Sequence, residues 1–139
     1  MLRVADVMST GLITLRPIDS LYTARTLMQE SRIRHLPVVS ADGAFLGVIS
    51  QRDLLKASVS QFADVHQDVR EQIESGIPVS EVMTVDLLHA SPDVPLIEAA
   101  TTLLRHKVGC LPILEGDTLV GILTEADFVK LAIRLLGPA

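Results

Sequence analysis

Gly47-Val48-Ile49-Ser50-Gln51-Arg52-Asp53 returns 74 residues later as Gly121-Ile122-Leu123-Thr124-Glu125-Ala126-Asp127. Both copies run glycine, two apolar residues, a hydroxyl residue, two variable positions and an aspartate. An apolar run that meets a hydroxyl residue and then charged helix formers predicts a strand end leading into the first turn of a helix. The match extends upstream. At an offset of 75, Val4-Ala5-Asp6-Val7-Met8 meets Val79-Ser80-Glu81-Val82-Met83. Pro17 meets Pro92, Leu21 meets Leu96, Ala24 meets Ala99, and Leu36-Pro37 meets Leu111-Pro112. One residue is lost in the following turn, and Lys56 then meets Lys130. Matches that keep their order over most of both halves point to tandem duplication.

Each copy reads β-α-β-β-α. In the first, Leu12-Ile13-Thr14-Leu15 is a short strand, and Asp19-Ser20 suits a helix start. Leu21, Ala24, Leu27 and Met28 share one helical face. Leu36-Pro37-Val38-Val39 and Phe45-Leu46-Gly47-Val48-Ile49 flank Asp42-Gly43 as a hairpin, and Gln51 to Ala57 is helical. The second copy supplies Leu87-Leu88, a helix over 96–104, strands near 111–114 and 119–123, and a helix from Glu125. The boundaries are 1–57 for the first repeat, 58–78 for a linker and 79–139 for the second. In the linker, Phe62, Val65, Val69 and Ile73 predict an amphipathic helix packed on something, as a plain connector, a dimer contact or a lid. The fold class is α+β: two tandem repeats packed with pseudo-twofold symmetry, because neither copy alone holds enough core. Clefts where such halves meet favour ligands.

Composition narrows the function. Hydrophobic residues make up 48% of the 139 and aromatics 3%, so the interior is built from Val, Leu, Ile, Ala and Met. No stretch approaches the roughly 20 apolar residues of a membrane span. The net charge is −5 and no basic tract occurs, which argues against nucleic acid as the main partner. One cysteine, Cys110, has no internal disulfide partner, and its apolar neighbours suggest a buried thiol in a reducing, cytoplasmic setting. His35, His66, His89 and His106 are scattered without the spacing of a metal site, and there is no P-loop, dinucleotide turn or nucleophile elbow. The expectation is no catalysis and no required cofactor.

The repeated heptapeptide suits a ribonucleotide. Gly47 and Gly121 allow close backbone approach, Ser50 and Thr124 can donate to ribose or phosphate, and Asp53 and Asp127 can accept from both hydroxyls of a ribose. The helix start adds free N–H groups for an anion. The same atoms also fit a helix cap, since Ser50-x-x-Asp53 and Thr124-x-x-Asp127 place the acid three residues after the hydroxyl.

Val-x-x-Val-Met at each start, the Leu-Pro hairpin strand and the Gly-apolar-apolar-Ser/Thr-x-x-Asp ending together resemble tandem CBS (cystathionine-β-synthase) domains, the Bateman module. The resemblance covers nearly the whole chain outside the linker. It implies an adenosine ligand (AMP, ADP, ATP or S-adenosylmethionine) bound between repeats, a homodimer shaped as a flat disc, and regulation of a fused domain or partner protein. It assigns ribose to Asp53 and Asp127 and ribose or phosphate to Ser50 and Thr124. In the family the two positions before Leu-Pro often carry basic residues that meet phosphate; here they are Arg34 and His35 in the first copy. The second copy has Gly109 and Cys110 there, so two unequal sites are expected, the better one using Asp53. Thr14, whose counterpart is His89, is a further candidate for the cleft. A purely structural dimerisation module without ligand is the alternative.

Overall fold

The duplicated pattern folds into duplicated elements, described for residues 1–62 and 66–138 in a computed structural model. In chain order they are α1 (Leu21–Ser31), β1 (His35–Val39), β2 (Phe45–Ser50), α2 (Gln51–Phe62), α3 (Gln67–Ser75), α4 (Leu96–His106), β3 (Cys110–Glu115), β4 (Thr118–Thr124) and α5 (Glu125–Leu136). Single 3-10 turns occupy Val4–Asp6 and Val79–Glu81. The chain is an α+β protein of two tandem repeats.

Ser20 caps α1: its hydroxyl accepts from the Thr23 N–H at 3.1 Å, satisfying one of the unpaired amides of the first turn. Leu21, Ala24 and Met28 then form the buried stripe that the periodicity predicts, with Leu27 packed beside it. The helix ends at Arg32 in the left-handed conformation, φ 54°, and α4 ends in the same way at Lys107, φ 53°. Duplication thus persists in the backbone. β1 and β2 pair antiparallel, as do β3 and β4, and each hairpin carries one register shift. Gly43, at φ 89°, supplies the left-handed turn residue that the Asp-Gly pair predicts.

The opening strands are shorter than expected. Only Leu15 pairs, in a single parallel bridge with Val38, and in the second copy the bridge is Ala90 with Ile113 rather than Leu87-Leu88. Pro17 and Pro92 follow within two residues of these bridges and have no N–H with which to continue a ladder.

The chain divides into two compact units that cut across the repeats. One comprises Ile13–Asp86; the other joins Met1–Leu12 to Leu87–Ala139. The opening segment of each repeat therefore belongs to the unit built on the other repeat's hairpin. Val79 is fully buried among Leu15, Leu21, Leu36, Ile49 and Leu54, and Val4 is fully buried among Leu96, Leu103, Leu111, Ile113 and Leu123.

The linker differs from the single helix expected. Phe62 closes α2, Val65 lies outside the described residues, and the next helix begins at Gln67. Val69 and Ile73, the expected packing face, are 45% and 38% exposed. The buried residue is Glu74, which ties α3 to α1 through a two-pronged pair: Arg25 Nε donates to Oε1 at 3.1 Å and Nη2 to Oε2 at 2.6 Å. Among the described residues no helix is long and apolar enough to cross a membrane.

Candidate functional site

In the Ile13–Asp86 unit, Ser50 ends β2 and Asp53 lies in the first turn of α2. Their relation is reciprocal: the Asp53 N–H donates to Ser50 Oγ at 3.0 Å, and the Ser50 N–H donates to Asp53 Oδ2 at 2.8 Å. This is a capping box. The Gln51 N–H is also engaged, donating to the Arg34 carbonyl at 2.8 Å. Two amides expected to be free at this helix start are thus occupied. The remaining acceptor is Asp53 Oδ1. Its neighbour among the described residues is the Thr84 hydroxyl at 3.4 Å, well beyond the 2.5–3.0 Å of a good O–H···O bond. Asp53 is half-buried and Thr84, the neighbour of this oxygen, is exposed.

The hairpin register brings further candidates here. His35 pairs with Ser50 across the strands, and Arg34, exposed, precedes it. Arg34, His35, Ser50 and Asp53 therefore share one end of the β1–β2 hairpin. Thr14 is exposed and adjoins Leu15, whose bridge is to Val38, three residues beyond His35.

The second unit repeats the frame with different occupancy. The Thr124 N–H donates to Asp127 Oδ2 at 2.9 Å, and the Ser9 hydroxyl donates to Asp127 Oδ1 at 2.6 Å. Both oxygens of Asp127 are engaged, and the residue is 4% exposed. Cys110, buried, stands opposite Thr124 where His35 stands opposite Ser50. His106 and Lys107 are exposed at the end of α4.

Gly47 and Gly121 make room for the chain itself rather than leaving a gap. A Cβ on Gly47 would meet the Thr84 carbonyl oxygen at 2.8 Å, and one on Gly121 would meet Met8 Sδ at 2.5 Å and the Ser9 carbonyl oxygen at 3.1 Å. The close approach lets Val48 and Thr84 exchange backbone hydrogen bonds at 3.0 and 2.9 Å, and Ile122 and Ser9 at 3.0 and 2.9 Å. The glycines thereby seat Thr84 beside Asp53 and Ser9 beside Asp127. Gly47→Ala is expected to destabilise the protein by about 1–3 kcal/mol, because a backbone oxygen must move, and Gly121→Ala by less, because the Met8 side chain can swing aside. Thermal denaturation checks the order; a larger effect at Gly121 would contradict it.

Sequence reasoning alone misses Ser9 and Thr84. A signal is present: each is a hydroxyl residue directly after Val-Met, at the same offset of 75 (9 to 84).

Burial pushes the Cys110 thiol up from 9.0 to about 12. The neutral form is therefore favoured in the folded state. From pH 9 towards about 12 the unfolded thiol ionises while the folded one does not, so this residue's contribution to stability is lost as pH rises through that window. Cys110 is expected to resist a thiol reagent at pH 8 in the native protein and to react fully in denaturant. Rapid native labelling would contradict its placement.

The CBS domain family model matches residues 4–60 and 79–134. The crystal structure of a Vibrio cholerae protein described as an acetoin utilization protein (AcuB) superposes with a TM-score of 0.86 at 40% identity, covering 98% of this chain and 93% of that one. The crystal structure of CBSX2 in complex with AMP superposes with a TM-score of 0.81 at 28% identity, covering 98% and 99%. The chain is 33% identical over 129 residues to homoserine O-acetyltransferase of Methanococcoides burtonii, which takes in 92% of this chain but only 24% of that enzyme's length.

Proposed function

The chain belongs to the CBS domain family, and from that premise we propose that it is a regulatory module that binds an adenosine-containing ligand, AMP, ADP, ATP or S-adenosylmethionine, and controls a fused domain or partner protein without catalysis of its own. The observation that carries this reading is Oδ1 of the half-buried Asp53, held in place by a capped helix start and facing only a 3.4 Å neighbour among the described residues. A carboxylate oxygen so placed accepts from a ribose hydroxyl. Ser50 supports it from the strand end, and Arg34 and His35, at the same end of the hairpin, supply positive or hydrogen-bonding groups for a phosphate. Gly47 and Gly121 act by seating Thr84 and Ser9. Asp127 with Thr124 forms the lesser site, and Thr14 a peripheral contact. The AMP complex of CBSX2 supports the choice of ligand class.

The same reading makes the protein a cytoplasmic homodimer. Val129, Ile133 and Leu136, at 59%, 65% and 84% exposure on α5, form an apolar stripe that a second copy would cover. That stripe also favours the alternative of a structural dimerisation module without ligand. A thermal-shift panel separates the two. Under the sensing reading, adenosine compounds raise the melting temperature and GMP does so less. Under the structural reading no nucleotide shifts it, while dilution lowers it.

A further inference from the structure

We infer that Ser9 is an internal competitor for ribose: its hydroxyl occupies the Asp127 oxygen that a bound nucleoside would use, holding the second site closed while the Asp53 site stays open. This inference rests on the adenosine-binding reading and adds the residue that makes the two sites unequal.

Both aspartates use Oδ2 to accept the N–H of the residue three positions earlier, at 2.8 Å in one copy and 2.9 Å in the other. Both meet, at Oδ1, a hydroxyl from the segment seated by the glycine. The difference lies in that last contact. Ser9 Oγ lies 2.6 Å from Asp127, within the range of a charge-assisted O–H···O⁻ bond, whereas Thr84 Oγ1 lies 3.4 Å from Asp53. Exposure follows the same division. Asp127 is buried with Ser9 half-buried over it, and Asp53 is half-buried with Thr84 exposed. A ribose hydroxyl arriving at Asp53 meets an acceptor with a free lone pair. One arriving at Asp127 finds a carboxylate that is 4% exposed, with Oδ1 already holding the short Ser9 bond, and must move that hydroxyl aside to reach it, so the exchange gains little. The Ser9 backbone is fixed by its pairing with Ile122, so its side chain is presented to Asp127 whenever that pairing holds.

Calorimetric titration with AMP tests this on the wild-type protein, Ser9→Ala, Ser9→Cys and Thr84→Ala, each shown to be folded by circular dichroism. Cysteine keeps nearly the volume of serine but is a weak donor, so it removes the competing bond with little change of packing. The wild type is expected to bind AMP in one strong step that Asp53→Ala removes. Ser9→Ala and Ser9→Cys are expected to strengthen a second step by about tenfold to a hundredfold, the worth of one hydrogen bond to a charged group. Adding Asp127→Asn to Ser9→Ala should remove that second step, and Thr84→Ala should change the first by less than roughly threefold. If the wild type binds AMP but neither Ser9 variant alters the second step, or if the wild type fills both sites equally, the inference is overturned and the adenosine-binding reading stands. If neither the wild type nor any variant binds AMP, ADP, ATP or S-adenosylmethionine, the reading falls and the inference with it.

Discussion

Asp53→Ala is expected to lower AMP affinity by about a hundredfold or more, since two hydrogen bonds from a ribose diol to a carboxylate are each worth about 1.5–3 kcal/mol before non-additivity. The same change removes the acceptor for the Ser50 N–H, so the ligand-free protein should also lose about 1 kcal/mol of stability through its cap. Asp53→Asn separates the two effects. An asparagine oxygen still accepts from the Ser50 N–H, but its amide cannot take both hydroxyls of a diol. This variant should keep most of the melting temperature while losing most of the affinity. Loss of stability without loss of AMP binding in both variants would make Asp53 a cap and nothing more.

Arg25→Ala is expected to give a large loss of stability. Glu74 is 1% exposed and receives both prongs of the guanidinium, whereas Arg25 retains 30% exposure. Removing the arginine takes both of these hydrogen bonds from a buried carboxylate, a change that costs up to about 3–5 kcal/mol in comparable cases. For a chain of this size that corresponds to a fall of roughly 10 °C in melting temperature. Glu74→Ala leaves behind a group that water can still reach, and should cost less. Replacing both, as Arg25→Met with Glu74→Leu, should recover most of the loss, because the penalty belongs to the buried charge rather than to the missing pair. Thermal denaturation of the four proteins decides it; an Arg25→Ala protein that melts with the wild type would show that α3 is held by something else.

These two residues mark how far the sequence can be read. Asp53 is visible because its heptapeptide recurs and because a hydroxyl residue and an acid three positions apart carry a local mechanism. The hairpins are visible for the same reason: the Asp-Gly turn and the Leu-Pro strand act within a few residues of themselves. The position of His35 opposite Ser50 follows once the hairpin is known. Arg25 and Glu74 lie 49 residues apart, and no periodicity joins them. The apolar spacing of Val69 and Ile73 predicts which face of the linker helix would pack, and the charge pair turns a different face inward. Hydrophobic pattern reports where apolar side chains could be buried; it says nothing about a buried acid that finds a guanidinium.

The hydroxyls of Ser9 and Thr84 are hidden for another reason. Each opens one repeat and is seated against the glycine of the other, so their role depends on an exchange of segments that duplication alone does not predict. Gly47 and Gly121 stand out in the sequence for close approach, and close approach is what they provide. The approaching group is the chain's own Met83-Thr84 or Met8-Ser9.

The most direct test is a paired calorimetric titration of the wild-type protein with AMP and with 2′-deoxy-AMP, which differ only in one ribose hydroxyl. If Asp53 holds a ribose through its diol, AMP binds and the deoxy compound binds at least about tenfold more weakly, the cost of leaving a charged acceptor without its donor. Equal affinities, or no binding of either, would contradict a ribose-holding role for Asp53.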